Sequence, residues 1–102
     1  MYEGDGLTVT ALGTQHGHMP NHNFRFDAGG RRLVVTSDTE PAESLVPFCE
    51  GADLVVVECS DTEAFFKTVP WGAWHMQPET VANLAGRAGV KRVVLKHLVI
   101  EN

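Results

Sequence analysis

The sequence predicts a single α/β or α+β domain built on a mixed β-sheet. Short segments with alternating or continuous apolar residues are typical of strands, and one segment with a 3.6-residue period is typical of an amphipathic helix. A hairpin-like region precedes strand–helix units along the chain, which is the order expected for a mixed sheet. The chain has 102 residues and 43% hydrophobic content. This length allows one compact domain over residues 1–102.

The N-terminal half is predicted to contain three strands. Leu7–Leu12 alternates between apolar residues and threonines, as a half-buried strand does. The following segment, 13–23, is polar, contains three histidines and is predicted to be a loop. Phe24–Asp27 and Arg32–Thr36 are predicted to form a hairpin, because Gly29-Gly30 between them can adopt the positive φ angles of a tight turn.

The C-terminal half is predicted to alternate helices and strands. A short helix is expected around Ala42–Cys49, followed by a strand at Leu54–Val57, whose unbroken apolar run is typical of a strand covered on both faces. Pro78 suits the first position of an amphipathic helix, and Gly89 suits its C-terminal cap. Val93–Leu95 is predicted to be a second buried strand.

Composition and charge exclude several functional classes. A formal charge of −5 argues against a surface that grips nucleic acid, so nucleic acid is a partner that we do not favour. The basic pairs Arg31-Arg32 and Lys91-Arg92 flank apolar strands and are interpreted as solvated strand ends. No apolar run approaches the roughly 18–20 residues that span a bilayer, and no secretory signal is recognisable, so we expect a cytoplasmic protein without a membrane partner. Cys49 and Cys59 are interpreted as small buried hydrophobic residues.

Four residues that can bind a metal or transfer a proton follow predicted strands: His16, Asp38, Glu58 and His97. Ligands of layered α/β folds bind beyond strand ends, so we expect these side chains to converge on one rim of the sheet. Imidazole and carboxylate together suit Zn²⁺, Mn²⁺ or Fe²⁺, and an aspartate can bridge two ions. The long spacing between the four residues excludes a zinc finger.

Each of these residues also has a structural interpretation. A strand-end aspartate can cap a turn, and a strand-end histidine can be satisfied by the backbone. His18 and His22 are interpreted as solvent-facing loop residues, and His75 could cap the helix that begins at Pro78. Trp71 and Trp74 either line a substrate cleft or attach their loop to the body of the domain.

Taken in order, these segments resemble the C-terminal half of metallo-β-lactamase-fold hydrolases, in particular the group of ribonuclease Z (tRNA three-prime processing), phosphodiesterases and arylsulfatase-like enzymes. The resemblance covers residues 7–98 and rests on Val9–His16, Asn23–Phe26, Val34–Thr39, Ala52–Glu58, His75 before a Pro-Glu helix start, and Val90–His97. It implies one half of an αββα sandwich, a mixed sheet with helices on one face.

The resemblance also implies a role for each candidate residue. His16 would bind one metal ion, Asp38 would bridge two ions and His97 would bind the second. His75 would be a catalytic histidine that assists proton transfer to the leaving group, and Glu58 would be a carboxylate that supports it. The implied cofactors are two divalent ions, expected to be zinc, with manganese or iron as alternatives. The implied substrate is a small ester or phosphodiester.

The sequence departs from the family in several places. The family's first metal motif, His-x-His-x-Asp-His, belongs to its N-terminal half and is absent, with only His16-Gly17-His18 similar to it. Ser37 stands where many members have glycine, and Lys96 where threonine is usual, but neither change removes a ligand. No long arm for holding tRNA lies between His16 and Asp38, so no preference for tRNA is expected.

Two hypotheses from different classes follow. The chain is either the C-terminal half of a dinuclear metallohydrolase, completed by an N-terminal half, or a non-catalytic half domain or decayed copy that binds metal weakly or not at all. In both cases we expect the 102 residues alone to have little activity. An uncovered sheet face would also favour self-association.

Overall fold

The computed structural model describes residues 2–16, 19–59, 76 and 78–96 of the chain. Within these residues, the strands form one mixed sheet in the order β1-β2-β3-β4-β5-β6. The elements are β1 (Tyr2–Gly4), β2 (Leu7–His16), β3 (Met19–Ala28), β4 (Arg31–Val35), α1 (Leu45–Cys49), β5 (Leu54–Glu58), α2 (Pro78–Ala88) and β6 (Val93–Lys96). The α+β class and mixed sheet predicted from the sequence are confirmed. No helix in the described ranges is long and apolar enough to cross a membrane.

The first four strands form an antiparallel meander, with tight turns between β1 and β2 and between β3 and β4. Gly29 and Gly30 join β3 to β4 with φ angles of 57° and 75°, as the sequence predicts. Asp5 and Gly6 join β1 to β2 in the same way, with φ angles of 51° and 79°. Two consecutive positive φ angles are the mark of a two-residue hairpin turn whose twist matches that of its strands. The short strand β1 was not predicted.

The prediction of a polar loop at 13–23 is wrong, because most of this segment is paired in the β2–β3 hairpin. Gly13 pairs with His22, and Thr14 pairs with Asn21. The segment lacks the apolar alternation of an ordinary strand. Its buried residues, Thr14 and Asn23, are polar and are hydrogen-bonded to each other. Polar groups can be buried at little cost when they are paired in this way.

The last three strands are parallel, and a helix follows each of the first two. Helix α1 is shorter than predicted and begins at Leu45, which leaves Pro47 within its first turn, where proline is tolerated. Helix α2 occupies the predicted positions. It ends at Ala88; Gly89 follows with a φ of 69°, and the N–H of Val90 donates to the carbonyl of Ala85 at 3.0 Å. This hydrogen bond is typical of a glycine-capped helix end.

Both helices pack on the same face of the sheet and form the hydrophobic core. The buried strand residues on this face are Val34, Val55 and Val57. The buried helix residues that contact them are Leu45, Phe48, Cys49, Val81, Leu84 and Ala88. Cys49 and Cys59 are both buried, as predicted, and no disulfide joins them. Helices on one face of a mixed sheet agree with the fold implied by the resemblance.

The opposite face of the sheet carries apolar side chains, and no described helix packs on it. We call it the open face; by strand register it consists of Leu7, Val9, Ala11, Phe24, Phe26, Leu33, Val35, Leu54, Val56 and Val94. Its members range from half-buried to exposed. The prediction that Leu54–Val57 is covered on both faces therefore holds only for the helix face, because Leu54 and Val56 remain half-buried.

Strand β6 is not the buried strand that the sequence predicts. Val93, Val94 and Leu95 are 37%, 49% and 41% exposed. Among the described strands, β6 is the last in the sheet order and pairs with β5 on one side only. A strand at this position loses the cover that a second neighbouring strand gives, so an apolar run in the sequence does not ensure burial.

The basic pairs lie at strand starts, as the sequence predicts. Arg31 and Arg32 begin β4, and Lys91 precedes β6. The Nε of Arg32 donates to Asp27 at 2.6 Å, and the Nζ of Lys91 donates to Asp53 at 3.0 Å. Arg32 and Lys91 therefore each pair with a carboxylate, at the end of the sheet where β4 and β6 begin.

Candidate metal centre at one edge of the sheet

The C-terminal ends of four strands, β2, β4, β5 and β6, lie along the same rim of the sheet. We call this rim the site edge. Strands β4, β5 and β6 are parallel, and β2 has the same direction because two antiparallel pairings separate it from β4. Strand β2 ends with His16, β5 ends with Glu58, and Asp38 follows the end of β4 by three residues. The topology therefore brings these three predicted residues to one edge. The basic pairs lie at the opposite edge.

The loop that carries Asp38 is attached to the β2–β3 hairpin. The side-chain Nδ2 of Asn21 donates to the carbonyl oxygen of Asp38. Two residues further on, the N–H of Glu40 donates to the carbonyl of Gln15 at 2.7 Å. Gln15 directly precedes His16, so these hydrogen bonds tie the Asp38 loop to the end of β2. Asp38 and His16 are both half-buried, and each is engaged in contacts with its surroundings.

Glu58 differs from Asp38 and His16 because it is completely buried. Its N–H donates to the Thr36 hydroxyl at 3.0 Å, which ties the end of β5 to the residue after β4. It also lies in register with Lys96 on β6. A carboxylate without exposure acts on the groups packed around it, whereas a half-buried one can reach a ligand beyond the sheet edge.

Two of the predicted site residues, His75 and His97, lie outside the described residues, as do His18, Trp71 and Trp74. Within the described ranges, no three His, Cys, Asp or Glu side chains cluster closely enough to hold a metal ion by themselves. The predicted ligand set of His16, Asp38 and His97 is therefore represented here by its first two members.

The side chains of His16 and Asp38 at the site edge are of types that bind a divalent ion. His16 supplies an imidazole and Asp38 a carboxylate with two oxygens. This combination fits zinc, manganese or iron, whereas the absence of a thiolate from the predicted set distinguishes it from structural zinc sites rich in cysteine. Cys49 does not change this, because burial raises the pKa of its thiol to about 11 and keeps it protonated.

Other titratable groups are shifted by partners that serve the fold. The guanidinium of Arg87 hydrogen-bonds Glu43 and lowers the pKa of its carboxyl. The backbone N–H of Arg32 and the ammonium of Lys91 lower the pKa of Asp53. Both carboxylates are involved in exposed ion pairs, which contribute little to stability.

The site contains residues that the sequence analysis did not assign to it. Thr14, Asn23 and Thr39 form buried hydrogen bonds between the hairpin and the Asp38 loop. Two of them fall in or at the end of the segment predicted to be a loop, so no burial was expected for them. Thr39 enters the sequence analysis only as the last residue of Val34–Thr39, one of the segments that carry the resemblance.

Comparison with known proteins places the chain among related sequences. A family model described as beta-lactamase superfamily domain matches residues 2–98. The chain is 37% identical over 75 residues to ribonuclease Z of Ignicoccus hospitalis, an alignment that covers 74% of this chain and 25% of that protein. It is 34% identical over 94 residues to ribonuclease Z of Pseudomonas putida, covering 90% of this chain and 28% of that protein.

A solved structure has the same fold. The metallo-beta-lactamase fold protein YhfI from Bacillus subtilis superposes with a TM-score of 0.84 at 28% identity, over 99% of this chain and 40% of its own. The present chain therefore spans about a quarter of the length of the two ribonuclease Z relatives and 40% of YhfI.

Proposed function

Because the chain belongs to the beta-lactamase superfamily, we propose that it supplies one part of a dinuclear metal site that hydrolyses a phosphodiester or related ester bond. The observation that carries the proposal is the placement of His16, Asp38 and Glu58 at the site edge, at or just after the ends of β2, β4 and β5. Each is a residue type that metal-assisted hydrolysis uses, and the three strands run in the same direction.

The proposed roles divide between ligands and proton transfer. His16 and Asp38 would hold metal from the described part of the site, and Asp38, whose carboxylate has two oxygens, would be the residue shared by the two ions. In the sequence, His97 directly follows the last residue of β6. It would be a ligand of the second ion. When bound, divalent ions would supply a hydroxide at neutral pH and would polarise the oxygen of the bond to be cleaved.

The leaving group requires a proton, and we assign the donation of this proton to His75. An imidazole with a pKa near neutrality can donate a proton to a departing alkoxide. Glu58, buried at the end of β5, would hold the second ring nitrogen of His75 and so fix its tautomer and orientation.

The proposed substrate is a small phosphodiester or ester, with RNA as the second candidate. RNA is suggested by the relatives, which are named ribonuclease Z. The charge of the chain favours the small substrate, because the net charge is −5 and the pairs at Arg31-Arg32 and Lys91-Arg92 lie away from the site edge. Tight phosphate-backbone binding needs clustered cations near the reacting bond.

The site also needs further ligands, which we propose come from a complementing N-terminal half packed against the open face. The relatives are several times longer than this chain, so they have additional polypeptide to supply such a layer. Two apolar sheet faces pack well against each other, about 10 Å apart. The alternative, a non-catalytic half domain, predicts no metal-dependent turnover in any context.

The test is hydrolysis by the full-length natural protein that contains these residues, loaded with zinc. We expect turnover of bis(p-nitrophenyl) phosphate that exceeds the turnover of precursor tRNA. Asp38→Ala should lower it by more than the roughly 10–100-fold that loss of an outer metal partner costs. Asp53→Ala removes an aspartate at the opposite edge and should leave turnover unchanged.

Three results would contradict the proposal or part of it. Zinc-loaded protein without turnover of any ester would favour the non-catalytic alternative. Equal losses in Asp38→Ala and Asp53→Ala would show that Asp38 has no special role. Processing of precursor tRNA at a rate comparable to the best small ester would replace the small substrate with RNA.

A further inference from the structure

Three polar side chains are buried beneath the site edge, and we call them the polar cluster: Thr14, Asn23 and Thr39. These three residues are 6%, 0% and 0% exposed, respectively. The Nδ2 of Asn23 lies 2.9 Å from the Thr14 hydroxyl, and this hydroxyl lies 2.7 Å from that of Thr39. Buried polar groups that satisfy one another select a single arrangement, because any other arrangement leaves one of them without a partner.

The polar cluster fixes the backbone on both sides of Asp38. On the N-terminal side, the N–H of Ser37 donates to the Oδ1 of Asn23 at 3.1 Å. On the C-terminal side, the Thr39 hydroxyl reaches the hairpin through Thr14 and also lies 3.4 Å from the carbonyl of Gln15. The remaining amide hydrogen of Asn23 is used by the carbonyl of Leu12 at 3.1 Å, within β2 itself.

These contacts have a geometric consequence for the two proposed ligands. Asp38 lies in a loop, which by itself can adopt many conformations, while His16 ends a regular strand. The polar cluster joins this loop to the same strand that carries His16. The relative position of the two side chains is therefore set by buried hydrogen bonds and not by the loop alone.

We infer that the polar cluster positions Asp38 relative to His16 so that both side chains can bind the same ion. This inference rests on the metal site proposed above. Thr39 and Asn23 act through Asp38 and are positioning residues, since neither is proposed to touch metal or substrate. A ligand must be held within about 0.5 Å of its productive position, so loss of such a support weakens metal binding.

The test compares two substitutions of Thr39 in the full-length protein. Thr39→Val keeps the shape of the side chain and removes the hydroxyl, whereas Thr39→Ser keeps the hydroxyl. Zinc affinity is measured by competition with a chromophoric chelator, without substrate. We expect a loss of roughly 10–100-fold for Thr39→Val and an affinity close to wild type for Thr39→Ser.

Two further variants separate positioning from stability. Leu84→Ala removes a buried residue of α2 from the hydrophobic core, to which none of the three polar-cluster residues belongs, so it should lower stability and leave zinc affinity unchanged. Asn21→Ala removes the side-chain amide that donates to the Asp38 carbonyl, and it should weaken zinc binding. Asn21 is only half-buried, so the fold should tolerate this substitution. It replaces Thr39→Val if that variant does not fold.

The outcomes distinguish this inference from the proposed function. Wild-type affinity in folded Thr39→Val, or an equal loss in Leu84→Ala, would overturn the inference while the metal site stands. If the wild-type protein binds no zinc, the proposed function fails, and amide hydrogen exchange still tests the cluster. Faster exchange at Ser37 and Glu40 in Thr39→Val, but not in Thr39→Ser, would support the inference; unchanged exchange would overturn it.

Discussion

At the scale of single residues, burial separates the two carboxylates that follow strands. Asp38 is half-buried and Glu58 is completely buried, although both come after an apolar run. A side chain at a sheet edge can bind a ligand only if part of it faces outward. The difference in burial is consistent with the proposed roles of Asp38 as a ligand and Glu58 as a support for a neighbouring histidine.

The Cys49 thiol should make the stability of the fold depend on pH in the alkaline range. Burial raises its pKa from 9.0 to about 11 in the folded chain. A raised pKa in the folded state contributes stability that is fully present below pH 9 and is lost as the pH rises towards about 11. The full contribution is up to about 3 kcal/mol.

The measurement is the free energy of unfolding from urea titrations at several pH values between neutral and strongly alkaline. The wild-type protein should lose more stability over this range than Cys49→Ala, which carries no titrating group at this position. The variant has a lower stability at neutral pH because it leaves a small cavity. Parallel pH curves for the two proteins would show that the Cys49 thiol does not titrate as expected.

At the scale of elements, the end of α2 depends on one backbone angle. Gly86 lies within the helix, and Gly89 follows its last turn with a φ of 69°. Both have open space around them, because no atom lies within 4 Å of the position that a Cβ would occupy. The two glycines therefore form a matched pair that differs in backbone conformation.

Substitution by alanine should have opposite effects at these two positions. Gly86→Ala should stabilise the protein by about 0.5–1 kcal/mol, because alanine loses less backbone entropy in a helix. Gly89→Ala should destabilise it by about 1 kcal/mol, because a Cβ disfavours positive φ. Urea denaturation of both variants measures the difference. Equal signs would show that the backbone angle at Gly89 does not control the effect of the substitution.

The β2–β3 hairpin shows how a polar segment can form a regular element. Its residues from Gly13 to His16 and from Met19 to Asn23 pair along their whole length. The inward residues find hydrogen-bond partners in the loop after β4. This hairpin is therefore stabilised near the site edge by polar contacts and not by an apolar face.

At the scale of the whole molecule, the open face should cause the 102-residue chain to associate with itself. Phe24 and Val94 are 43% and 49% exposed on this face. Contiguous apolar patches of more than a few hundred Å² are rare on monomers and mark interaction sites. We expect dimers or larger species whose fraction rises with protein concentration.

Sedimentation equilibrium on the chain and on two lysine variants measures this association. Phe24→Lys places a charge at the centre of the open face and should shift the equilibrium towards monomer. Ala82→Lys places the same charge on the exposed side of α2 and should leave the association unchanged. A wild-type chain that stays monomeric at all concentrations would contradict the prediction.

The same chain should have little or no hydrolytic activity by itself. One ion would have His16 and Asp38 as ligands, and the other would have Asp38 and His97. A catalytic zinc ion has three protein ligands and one water, so both ions would be bound weakly and in solvent. The measurement is bis(p-nitrophenyl) phosphate turnover by the 102-residue chain with added zinc. Substantial turnover that Asp38→Ala abolishes would show that these residues contain a more complete site.

The sequence by itself determined the elements whose signals are local. The amphipathic period and the Pro78 and Gly89 positions located α2, and Gly29-Gly30 located a hairpin turn. The strand exits pointed to His16, Asp38 and Glu58, because short apolar runs ended directly before or near each of them. Period, capping and turn chemistry act within a few residues, so they can be recognised without the fold.

Only the tertiary structure decided which of these elements are covered and which polar residues are buried. The exposure of β6 follows from its place at the sheet edge, which no property of Val93–Leu95 encodes. The burial of Asn23 follows from hydrogen bonds to a loop 14 residues away. Both depend on contacts between segments distant in sequence, and the free energy of such contacts depends on the partner as much as on the residue itself.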